Sequence, residues 1–412
     1  MLSVRAAARR HNGSYPLPVR REALRHLQTA TVTPSSIAHL ASQPLHPLTL
    51  SDLCQQGRPP LSTPSLLASA NFTLSLLPAR LAHRIEKLRS LPYIVVANPH
   101  VSKILSNYTH SLSTLLPYAE RHIETLNQEI EFTSVMADLV RTHSNTIGTL
   151  ARGFLEARKY ISAAHVTSFL DEHLRQRIGT RLIAEQHIAL HYSSTPHSEL
   201  SPEHAYSHST AADSTYIGVI DTALRPIDII RSCEETVGEI CELKYGVRPS
   251  IRILGEESTS VAQIPMHLEY ILTELLKNSF RAVIEAGTER DPIEITIAPA
   301  PVQDDNTPAI TLRIRDRGGG ISAPNLAKLW EYGFTTFNDE EINDKTASNT
   351  GDPGLGGLDA LAGGGSSLAG LGYGLPLGRA YAEYFGGGIE VQSLWGWGTD
   401  VYLCVRGIGK VG

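Results

Sequence analysis

The sequence predicts an α+β protein in which an N-terminal antiparallel helical bundle precedes a mixed α/β domain. From about Thr33 to Tyr192 the apolar residues recur at helical spacing, and strand signals are few. After Tyr216, short segments of alternating polarity are interspersed with helical segments. A polar stretch rich in Ser, His and Pro separates the two regions. We therefore expect a bundle over residues 31–195, a linker or surface loop over 196–214, and the second domain over 215–410.

Length and composition limit the function classes. A chain of 412 residues is long enough for two or three domains with a buried core. The net charge of -6 argues against a nucleic-acid-binding surface. The four cysteines show no CxxC spacing, so we expect neither a zinc site nor a disulfide framework. No uninterrupted apolar run is long enough to span a bilayer, so we expect no transmembrane segment.

The first 30 residues differ in character from the rest of the chain. They contain a single acid, Glu22, and six arginines: Arg5, Arg9, Arg10, Arg20, Arg21 and Arg25. A segment that is rich in arginine, contains serine and is poor in acids is typical of a mitochondrial presequence. The alternative is a basic tail that binds an anionic partner. We predict a presequence over residues 1–30.

The bundle is predicted from five segments in order. "TPSSIAHLA" begins with a capping residue and a proline, and "LPARLAHRIEKLRSLP" carries Leu81, Ile85 and Leu88 on one stripe. "VSKILSNYTHSLSTLLPYA", the long segment from His122 to Tyr160, and "VTSFLDEHLRQRIGTRLIAEQHIALHY" are amphipathic. Short connections marked by proline indicate that neighbouring helices run antiparallel.

The second domain is predicted from strands and helices that alternate. "YIGVIDTALRPIDIIRSCEETVGEICELKYG" predicts a strand, a turn and a helix, and "PSIRILGEES" predicts a strand. "IPMHLEYILTELLKNSFRAVIEAG" predicts a packed helix. "IEITIAPA" and "AITLRIRD" alternate like paired strands, and "GGGIEVQSLWGWGTDVYLCVR" predicts two strands joined by a Gly/Trp turn.

The packed helix carries one polar stripe. Glu274, Asn278 and Arg281 stand at positions i, i+4 and i+7, which places them on one face at 3.6 residues per turn. Their neighbours, such as Leu275 and Leu276, are apolar. Polar groups on a packed helix need hydrogen-bond partners, which can be protein, water or a ligand.

The segment "LRIRDRGGGI" is the first of three glycine-marked sites. A predicted strand leads into Asp316, and Gly318, Gly319 and Gly320 follow. Consecutive glycines allow a tight turn and a close approach to a flat ligand, and the Asp316 carboxylate could accept a hydrogen bond from an exocyclic amine. An ordinary hairpin turn would explain the same residues.

The other two glycine-marked sites lie nearer the C-terminus. In "GLGYGLPLGRAYAEYF", Gly370, Gly372 and Gly374 precede a helix predicted from about Pro376, whose free N–H groups suit phosphate oxygens. In "GWGTD", the Thr399 hydroxyl stands at the start of the last strand. A Rossmann fingerprint would need a strand directly upstream of the first of these sites, but residues 352–370, "DPGLGGLDALAGGGSSLAG", are of low complexity. We expect residues 338–370 to be a lid over a nucleotide.

The order of these motifs resembles the Bergerat-type (GHKL) ATP-binding fold shared by Hsp90, MutL, type II topoisomerases and sensor histidine kinases. The resemblance implies that the second domain is an α/β sandwich that binds ATP. It also implies that Asn278 binds Mg²⁺ and that Asp316 recognises adenine.

A narrower resemblance covers nearly the whole chain after the predicted presequence. "ELLKNSFRA", "DRGGGI", "GFTT", "GLGYGLPLGRAYAEYFGG", "GWGTDVYL" and "RIGTRLIAEQHIALH" look like the mitochondrial kinases of the 2-oxoacid dehydrogenase complexes. This implies a protein serine/threonine kinase of the mitochondrial matrix that phosphorylates and inactivates the decarboxylase component. "CELKYG" and the absence of a long tail after the last strand favour the branched-chain type, and a pyruvate dehydrogenase kinase is the alternative.

The resemblance also implies the roles of individual residues. Glu274 would orient or deprotonate the attacking serine, and Lys277 would help to position and stabilise the phosphoryl charge. His143 would pair with Glu274 and tune it. The alternatives are a solvated charge for Lys277 and an exposed helix histidine for His143. Potassium would bind main-chain carbonyls near Leu329, Glu331 and Phe334. The family docks on the lipoyl domain of the acyltransferase core and forms homodimers. The nucleotide would be bound by Asn278, Arg281, Asp316, Gly318, Gly320, Thr335, Thr336, Gly370, Leu371, Gly372, Tyr373, Gly374, Leu375 and Thr399.

Two rival functions remain compatible with a nucleotide fold. A sensor histidine kinase would need a phosphoacceptor histidine on a dimerisation helix, and His122 is the nearest candidate, although it lacks the usual following proline. A non-catalytic ATP-binding module would not need Glu274. Acid-stable phosphoserine on a partner protein would distinguish the protein serine kinase from the histidine kinase.

Overall fold

The computed structural model describes residues 29–195, 214–300, 307–336 and 371–408. Almost all of the predicted presequence, nearly the whole predicted linker and the predicted lid, with Gly370, lie outside these ranges. Within them, the chain forms helices first and then a mixed region of strands and helices, so the predicted α+β class is confirmed. No helix among the described residues is long and apolar enough to cross a membrane.

The N-terminal region is a set of packed helices that shares one hydrophobic core. The core is built around large buried side chains such as Tyr108, Leu112 and Phe132. The helices in chain order are α1 (Pro34–Ala41), α2 (Leu50–Cys54), α3 (Thr63–Arg89), α4 (Tyr93–Val96), α5 (Pro99–Glu120), α6 (Leu126–Thr142), α7 (Thr146–Glu156) and α8 (Ala163–Ser193).

Helix starts in the bundle follow from capping chemistry, but Pro78 does not begin a helix as predicted. Thr33 and Thr125 each accept a hydrogen bond from the third backbone N–H of the helix that follows, in full capping boxes. Pro78 lies inside α3 and Pro117 inside α5, so these prolines do not mark connections between helices. The long segment from His122 to Tyr160 is instead divided into α6 and α7 at residues 143–145.

Helix α8 is buried on nearly all sides along its C-terminal half. Eight of the nine residues from Ile183 to His191 are buried, all but Glu185, so no solvent-facing stripe exists there. The reason is that α3 and α6 pack on one side while a helix of the second domain packs on another. The prediction of a simply amphipathic helix was wrong for this half of α8.

A polar cluster lies inside the bundle. The fully buried Glu129 carboxylate lies 2.9 Å from His191 Nδ1 and 3.4 Å from His187 Nε2. Burial lowers the pKa of His187 to about 4, although the Glu129 charge acts in the opposite direction. Burial likewise lowers the pKa of His143 to about 3 and that of His267 to about 3, in both cases helped by nearby arginine charge.

We expect acidification to destabilise the fold between about pH 6.5, the usual histidine pKa, and roughly pH 4. Because the folded pKa values of His143, His187 and His267 lie below the unfolded value, the unfolded chain takes up protons first. Stability is therefore complete above pH 6.5 and falls by about 1.4 kcal/mol per pH unit for each such histidine. Urea denaturation at several pH values measures this slope. His267→Gln should reduce the slope by about 1.4 kcal/mol per pH unit, whereas the exposed His39→Gln should leave the slope unchanged. A free energy of unfolding that does not change with pH would contradict the prediction.

The second region is built on a five-stranded sheet covered by helices on one face. Its strand order is β3-β5-β6-β8-β7, with β3 and β5 parallel and the other pairs antiparallel. A small antiparallel sheet, β1-β2-β4, lies beside it, and β4 was not predicted. The elements are β1 (Tyr216–Ile217), β2 (Ile220–Leu224), α9 (Pro226–Tyr245), β3 (Ile251–Gly255), β4 (Val261–Gln263), α10 (Pro265–Ala286), β5 (Ile293–Pro299), β6 (Ala309–Asp316), α11 (Ala323–Ala327), α12 (Gly374–Tyr384), β7 (Gly388–Leu394) and β8 (Gly398–Arg406).

Alternation along β6 determines which side chains reach the helices. Ile310, Leu312 and Ile314 are buried while the residues between them are partly exposed, which is the period of a strand with one covered face. Asp316 continues this buried series as the last residue of the strand. The fold therefore directs one carboxylate into the interior at the end of a central strand.

Helix α12 joins the two regions by packing on α8. Glu383 on α12 accepts hydrogen bonds from Arg175 on α8 and from Arg379 on its own helix. Nearby, the Tyr332 hydroxyl donates to Asp171 on α8 at 3.3 Å. The segments that flank the second glycine motif are thus held by the bundle.

Candidate active site

The candidate site lies on the polar face of α10. The opposite face of this helix packs on the sheet through Leu272, Leu276 and Phe280, all fully buried. The Glu274 side chain is 12% exposed, and Lys277 Nζ lies 2.7 Å from Glu274 Oε1. Packing on one face thus leaves the predicted polar stripe at the surface of the domain.

The other two members of the stripe differ in their partners. The Asn278 side chain is exposed, and it forms no hydrogen bond with any residue that the structure describes. Arg281 pairs with Glu285 on the next turn. The carboxamide of Asn278 is therefore available to a ligand one turn away from Glu274.

Asp316 lies at the base of the site. It is only 5% exposed, and it accepts hydrogen bonds from Gly318 N at 2.9 Å and Ser279 Oγ at 3.3 Å. Thr399, directly opposite in the register with β8, contributes a backbone hydrogen bond. Burial raises the pKa of Asp316, and these hydrogen bonds to the charged form partly oppose the shift.

The glycine turn after Asp316 packs tightly on its neighbours. A Cβ at Gly318 would lie 2.4 Å from Ala282 Cβ and 2.7 Å from the Ala282 carbonyl carbon on α10. Gly320 has a φ of +72° and its Cβ would lie 2.2 Å from the Leu394 oxygen. Only glycine allows the turn to lie this close to α10 and to the β7–β8 hairpin.

The second glycine segment lies in direct contact with the side chain of Glu274. Helix α12 begins at Gly374, two residues before the predicted start at Pro376. A Cβ at Gly374 would lie 2.0 Å from Glu274 Oε2, so the first turn of α12 contacts the carboxylate. Gly372 has a φ of +72° and packs against the Phe334 oxygen. Tyr373 is buried between these glycines, Leu371 packs on the bundle core, and Leu375 packs on the core of the second domain.

We expect Gly374→Ala to lower the rate of any reaction in which Glu274 takes part, by about 10- to 100-fold, because the methyl group must displace the carboxylate. Gly378→Ala on the same helix is the matched control, since its nearest atom outside the helix backbone would be Ile389 Cδ1 at 3.9 Å. That change should preserve activity and stabilise the helix by about 0.5–1 kcal/mol. Steady-state kinetics and thermal melts of both variants test this, and equal activity of the two would contradict it.

The segment that precedes the predicted lid lies against the second glycine motif. Gly333 N donates to the Gly372 oxygen at 3.1 Å, and the nearby Phe334 N donates to the Glu331 oxygen at 3.3 Å. Leu329 lies at the start of this turn, and Thr335 and Thr336 end the described segment. The turn gathers main-chain carbonyls, but the potassium site there remains a prediction.

The structure does not bring His143 to Glu274. His143 ends α6 inside the bundle, where its Nε2 lies 2.7 Å from Ser111 Oγ and its ring stacks on Tyr108 at 4.9 Å. Glu274 instead accepts a hydrogen bond from Lys277, its own neighbour on α10, at 2.7 Å. The predicted His143–Glu274 pair is therefore absent, because His143 belongs to a separate part of the bundle.

His143 lines a cavity with apolar walls and several cationic groups. The walls include Leu115 and Met136, and the charged groups are Arg84, Arg177 and Arg181. Burial lowers the pKa of Arg84 and lowers the pKa of Arg177 to about 10. Two buried guanidinium groups beside apolar walls suit a small organic anion better than a neutral molecule.

Two serines of the site were not predicted. Ser279 Oγ donates a hydrogen bond to Asp316. Ser393 Oγ accepts from Ile321 N at 2.7 Å and lies 3.0 Å from Thr399 Oγ1. Ser279 is the one polar residue on a buried face that otherwise carries residues such as Leu272, Leu276 and Val283. That interruption of the apolar pattern was the sequence signal that could have identified it.

Comparisons with protein families match both halves of the chain. The model of mitochondrial branched-chain alpha-ketoacid dehydrogenase kinase matches residues 47–221. The model of histidine kinase-, DNA gyrase B- and HSP90-like ATPases matches residues 263–407.

Curated relatives align over most of the chain. The mitochondrial [pyruvate dehydrogenase (acetyl-transferring)] kinase of Arabidopsis thaliana is 31% identical over 352 residues, which are 84% of this chain and 86% of the relative. The chain belongs to the family of mitochondrial 2-oxoacid dehydrogenase kinases. Kinase 1 of Saccharomyces cerevisiae is 30% identical over 355 residues, or 86% of this chain and 82% of the relative. Isozyme 4 of Rattus norvegicus is 26% identical over 356 residues, or 83% and 77%.

Membership of this kinase family identifies the chain as an ATP-dependent protein serine kinase with a GHKL nucleotide domain. The structure also does not place the nearest phosphoacceptor candidate of the rival histidine kinase on a helix. His122, its nearest candidate, lies in the loop between α5 and α6 and contacts Asn71 Oδ1 at 3.2 Å.

The residues of this kinase site fit ATP and Mg²⁺. A buried carboxylate with an adjacent glycine turn suits the exocyclic amine and flat ring of adenine, and the N-terminus of α12 suits phosphate. The free Asn278 carboxamide supplies a hard oxygen of the kind that Mg²⁺ prefers.

Proposed function

We propose that this kinase phosphorylates a serine of the decarboxylase component of the pyruvate dehydrogenase complex in the mitochondrial matrix and thereby inactivates it. The observation that carries the substrate class is the alignment of over four-fifths of the chain with relatives named as pyruvate dehydrogenase kinases. The branched-chain preference expected from the sequence is favoured only by the family model that matches the bundle, so it becomes the second candidate.

We infer that Glu274 is the general base of phosphoryl transfer. Its carboxylate lies on a packed helix beside the N-terminus of α12, where the phosphates of ATP would be bound. Glu274 would take the proton of the substrate serine as the serine oxygen attacks the terminal phosphorus and ADP leaves. Rigid placement on α10 supplies the positioning that this reaction mainly requires.

Lys277 has a proposed role that follows from its present partner. Its ammonium group neutralises Glu274 at 2.7 Å in the structure. When ATP binds, the phosphates would offer this flexible side chain a stronger anionic partner, and Lys277 would turn to them. That exchange would expose the Glu274 carboxylate to the serine hydroxyl.

The remaining nucleotide contacts are proposed from their places around the site. Asn278 would hold Mg²⁺, which when bound would neutralise charge on the phosphates. Asp316 would accept from the adenine amine, and Thr399 would support Asp316. The other described candidates are Arg281, Gly318, Gly320, Thr335, Thr336, Leu371, Gly372, Tyr373, Gly374 and Leu375. Gly370, which lies outside the described residues, is a candidate from the sequence alone.

We also propose a homodimer, formed through the turn between β7 and β8. Leu394, Trp395 and Trp397 are 66%, 70% and 61% exposed. An exposed group of large apolar side chains commonly marks a protein–protein interface. Light scattering of Leu394→Asp would show monomers if this is correct.

Docking on the lipoyl domain of the acyltransferase core rests on family membership alone.

The test of the proposed function is a phosphoryl transfer assay with radiolabelled ATP. The purified chain is given the pyruvate and the branched-chain decarboxylase components in parallel reactions, and acid-stable phosphoserine is measured. We expect faster labelling of the pyruvate component. Faster labelling of the branched-chain component would favour the second candidate, and labelling of neither while ATP remains bound would contradict the proposal.

A further inference from the structure

The side chain that precedes Glu274 by one helical turn has an unusual environment. Tyr270 is 6% exposed, and its hydroxyl has no hydrogen-bond partner among the residues that the structure describes. Leaving a buried hydroxyl without a partner costs about 1–3 kcal/mol. A tyrosine at this position therefore needs a reason that phenylalanine would not satisfy.

Packing fixes the ring of Tyr270. It lies against Tyr381 of α12 with ring centroids 5.2 Å apart, and it belongs to the apolar cluster that α10 and α12 share with the bundle. Arg177 and Arg181 of α8 lie beside the Tyr381 side chain. With the ring held from two sides, the hydroxyl has a nearly constant position relative to α10.

Glu274 follows Tyr270 by one turn of α10. Residues i and i+4 lie one above the other on a helix face, so Tyr270 and Glu274 share a face. Burial raises the pKa of Tyr270, and the charge of Glu274 raises it further. The hydroxyl therefore remains protonated and keeps a hydrogen to donate.

The present hydrogen bond of Glu274 is the one that the proposed reaction removes. Oε1 accepts from Lys277, and Oε2 faces Gly374 at the start of α12. Once Lys277 turns to the phosphates, Oε1 loses its only described donor on a side chain that is 12% exposed. A second donor that is already fixed would hold the carboxylate in place at that moment.

We propose that Tyr270 is a positioning residue for the phosphoryl transfer, and that its hydroxyl donates a hydrogen bond to Glu274 when Lys277 engages ATP. This rests on the proposed function, in which Glu274 is the base. The hydrogen bond restricts the carboxylate to one rotamer and favours its charged form, so it acts on the transfer step. We expect ATP affinity to stay unchanged, because the Tyr270 ring is buried against Tyr381 of α12.

The test compares Tyr270→Phe with Tyr384→Phe, using radiolabelled ATP and the decarboxylase component that the wild type labels. Tyr384 on the same helix as Tyr381 loses a hydroxyl that contacts Arg80 in the bundle, so it controls for the interface between the two regions. We expect Tyr270→Phe to lower kcat about tenfold, the loss expected for one hydrogen bond to a charged group. The acidic limb of its pH profile should move to higher pH, whereas KM for ATP and the melting temperature should not fall.

The possible outcomes separate this inference from the function on which it rests. If Glu274→Gln abolishes transfer but Tyr270→Phe matches the wild type in kcat and pH profile, the inference is wrong and the proposed base stands. If Glu274→Gln remains active, then both the proposed base and the role of Tyr270 are wrong. Should Tyr270→Phe fail to fold, 3-fluorotyrosine at position 270 keeps the hydroxyl as a stronger donor, and the acidic limb must then move to lower pH. An unmoved limb in that protein would overturn the inference.

Discussion

Glu274→Gln is expected to lower phosphoryl transfer by about 10²- to 10⁴-fold, the usual contribution of a general base. Glutamine keeps the shape of the side chain and can still contact Gly374, but it cannot accept the serine proton. Because the change removes an interaction made in the transition state, kcat and kcat/KM should fall together. ATP affinity should stay within a few-fold of the wild type, and a fluorescent nucleotide binding assay measures it directly.

The matched control is Glu269→Gln, a glutamate of α10 that is exposed and turned away from Glu274 by its spacing of five residues. This variant should transfer phosphate at the wild-type rate. The role of Glu274 would be refuted by substantial transfer activity in Glu274→Gln. Loss of both nucleotide binding and stability would instead indicate a structural role for the carboxylate.

The sequence predicted those parts of the site that depend on one element at a time. Spacing along a single helix placed Glu274 and Asn278 on one face, and the structure leaves both facing away from the sheet. Alternation in "AITLRIRD" predicted a strand that leads into Asp316, and the structure ends β6 at this residue. Such patterns follow from the periods of the helix and the strand, so a single sequence is sufficient to read them.

Contacts between distant elements could not be predicted in this way. Nothing in the local sequence shows that Gly374 meets Glu274, because the contact depends on how α12 packs on α10. The same limitation explains the mistaken pair between His143 and Glu274. The family resemblance suggested a histidine, but the packing of α5 against the end of α6 gives His143 a different partner in Ser111.

The fold class was easier to predict than the individual boundaries. Runs of helical periodicity and of alternation are long, so local errors do not change the class. Pro78 misled one boundary, because tertiary packing keeps α3 continuous through it. Pro117 misled none, since the predicted segment already ran through it, as α5 does. Strand β4 has only three residues and was missed because so short a segment has too few positions to show a period.

Asp316→Asn is expected to weaken ATP binding by about 100-fold or more. The asparagine can still accept from Gly318 N, but its amide group presents hydrogens where the adenine amine also presents hydrogens. A site built to accept a hydrogen bond rejects a ligand strongly when that bond is lost and a polar group stays unpaired. Guanine carries an oxygen at the same ring position, so the preference for ATP over GTP should shrink or reverse. Competition of both nucleotides against a fluorescent ADP analogue measures the two affinities.

The same change should not weaken the fold, and this separates recognition from stability. Burial raises the pKa of Asp316, which means that the folded protein bears a cost for holding the charge there. Asparagine removes the charge at nearly constant volume, so the free energy of unfolding without nucleotide should be unchanged or higher. Asp400→Asn is the control, because Asp400 pairs with Arg315 on the outer face of the sheet and has no place in the nucleotide site. If Asp316→Asn binds ATP as tightly as Asp400→Asn does, then adenine is recognised by another group.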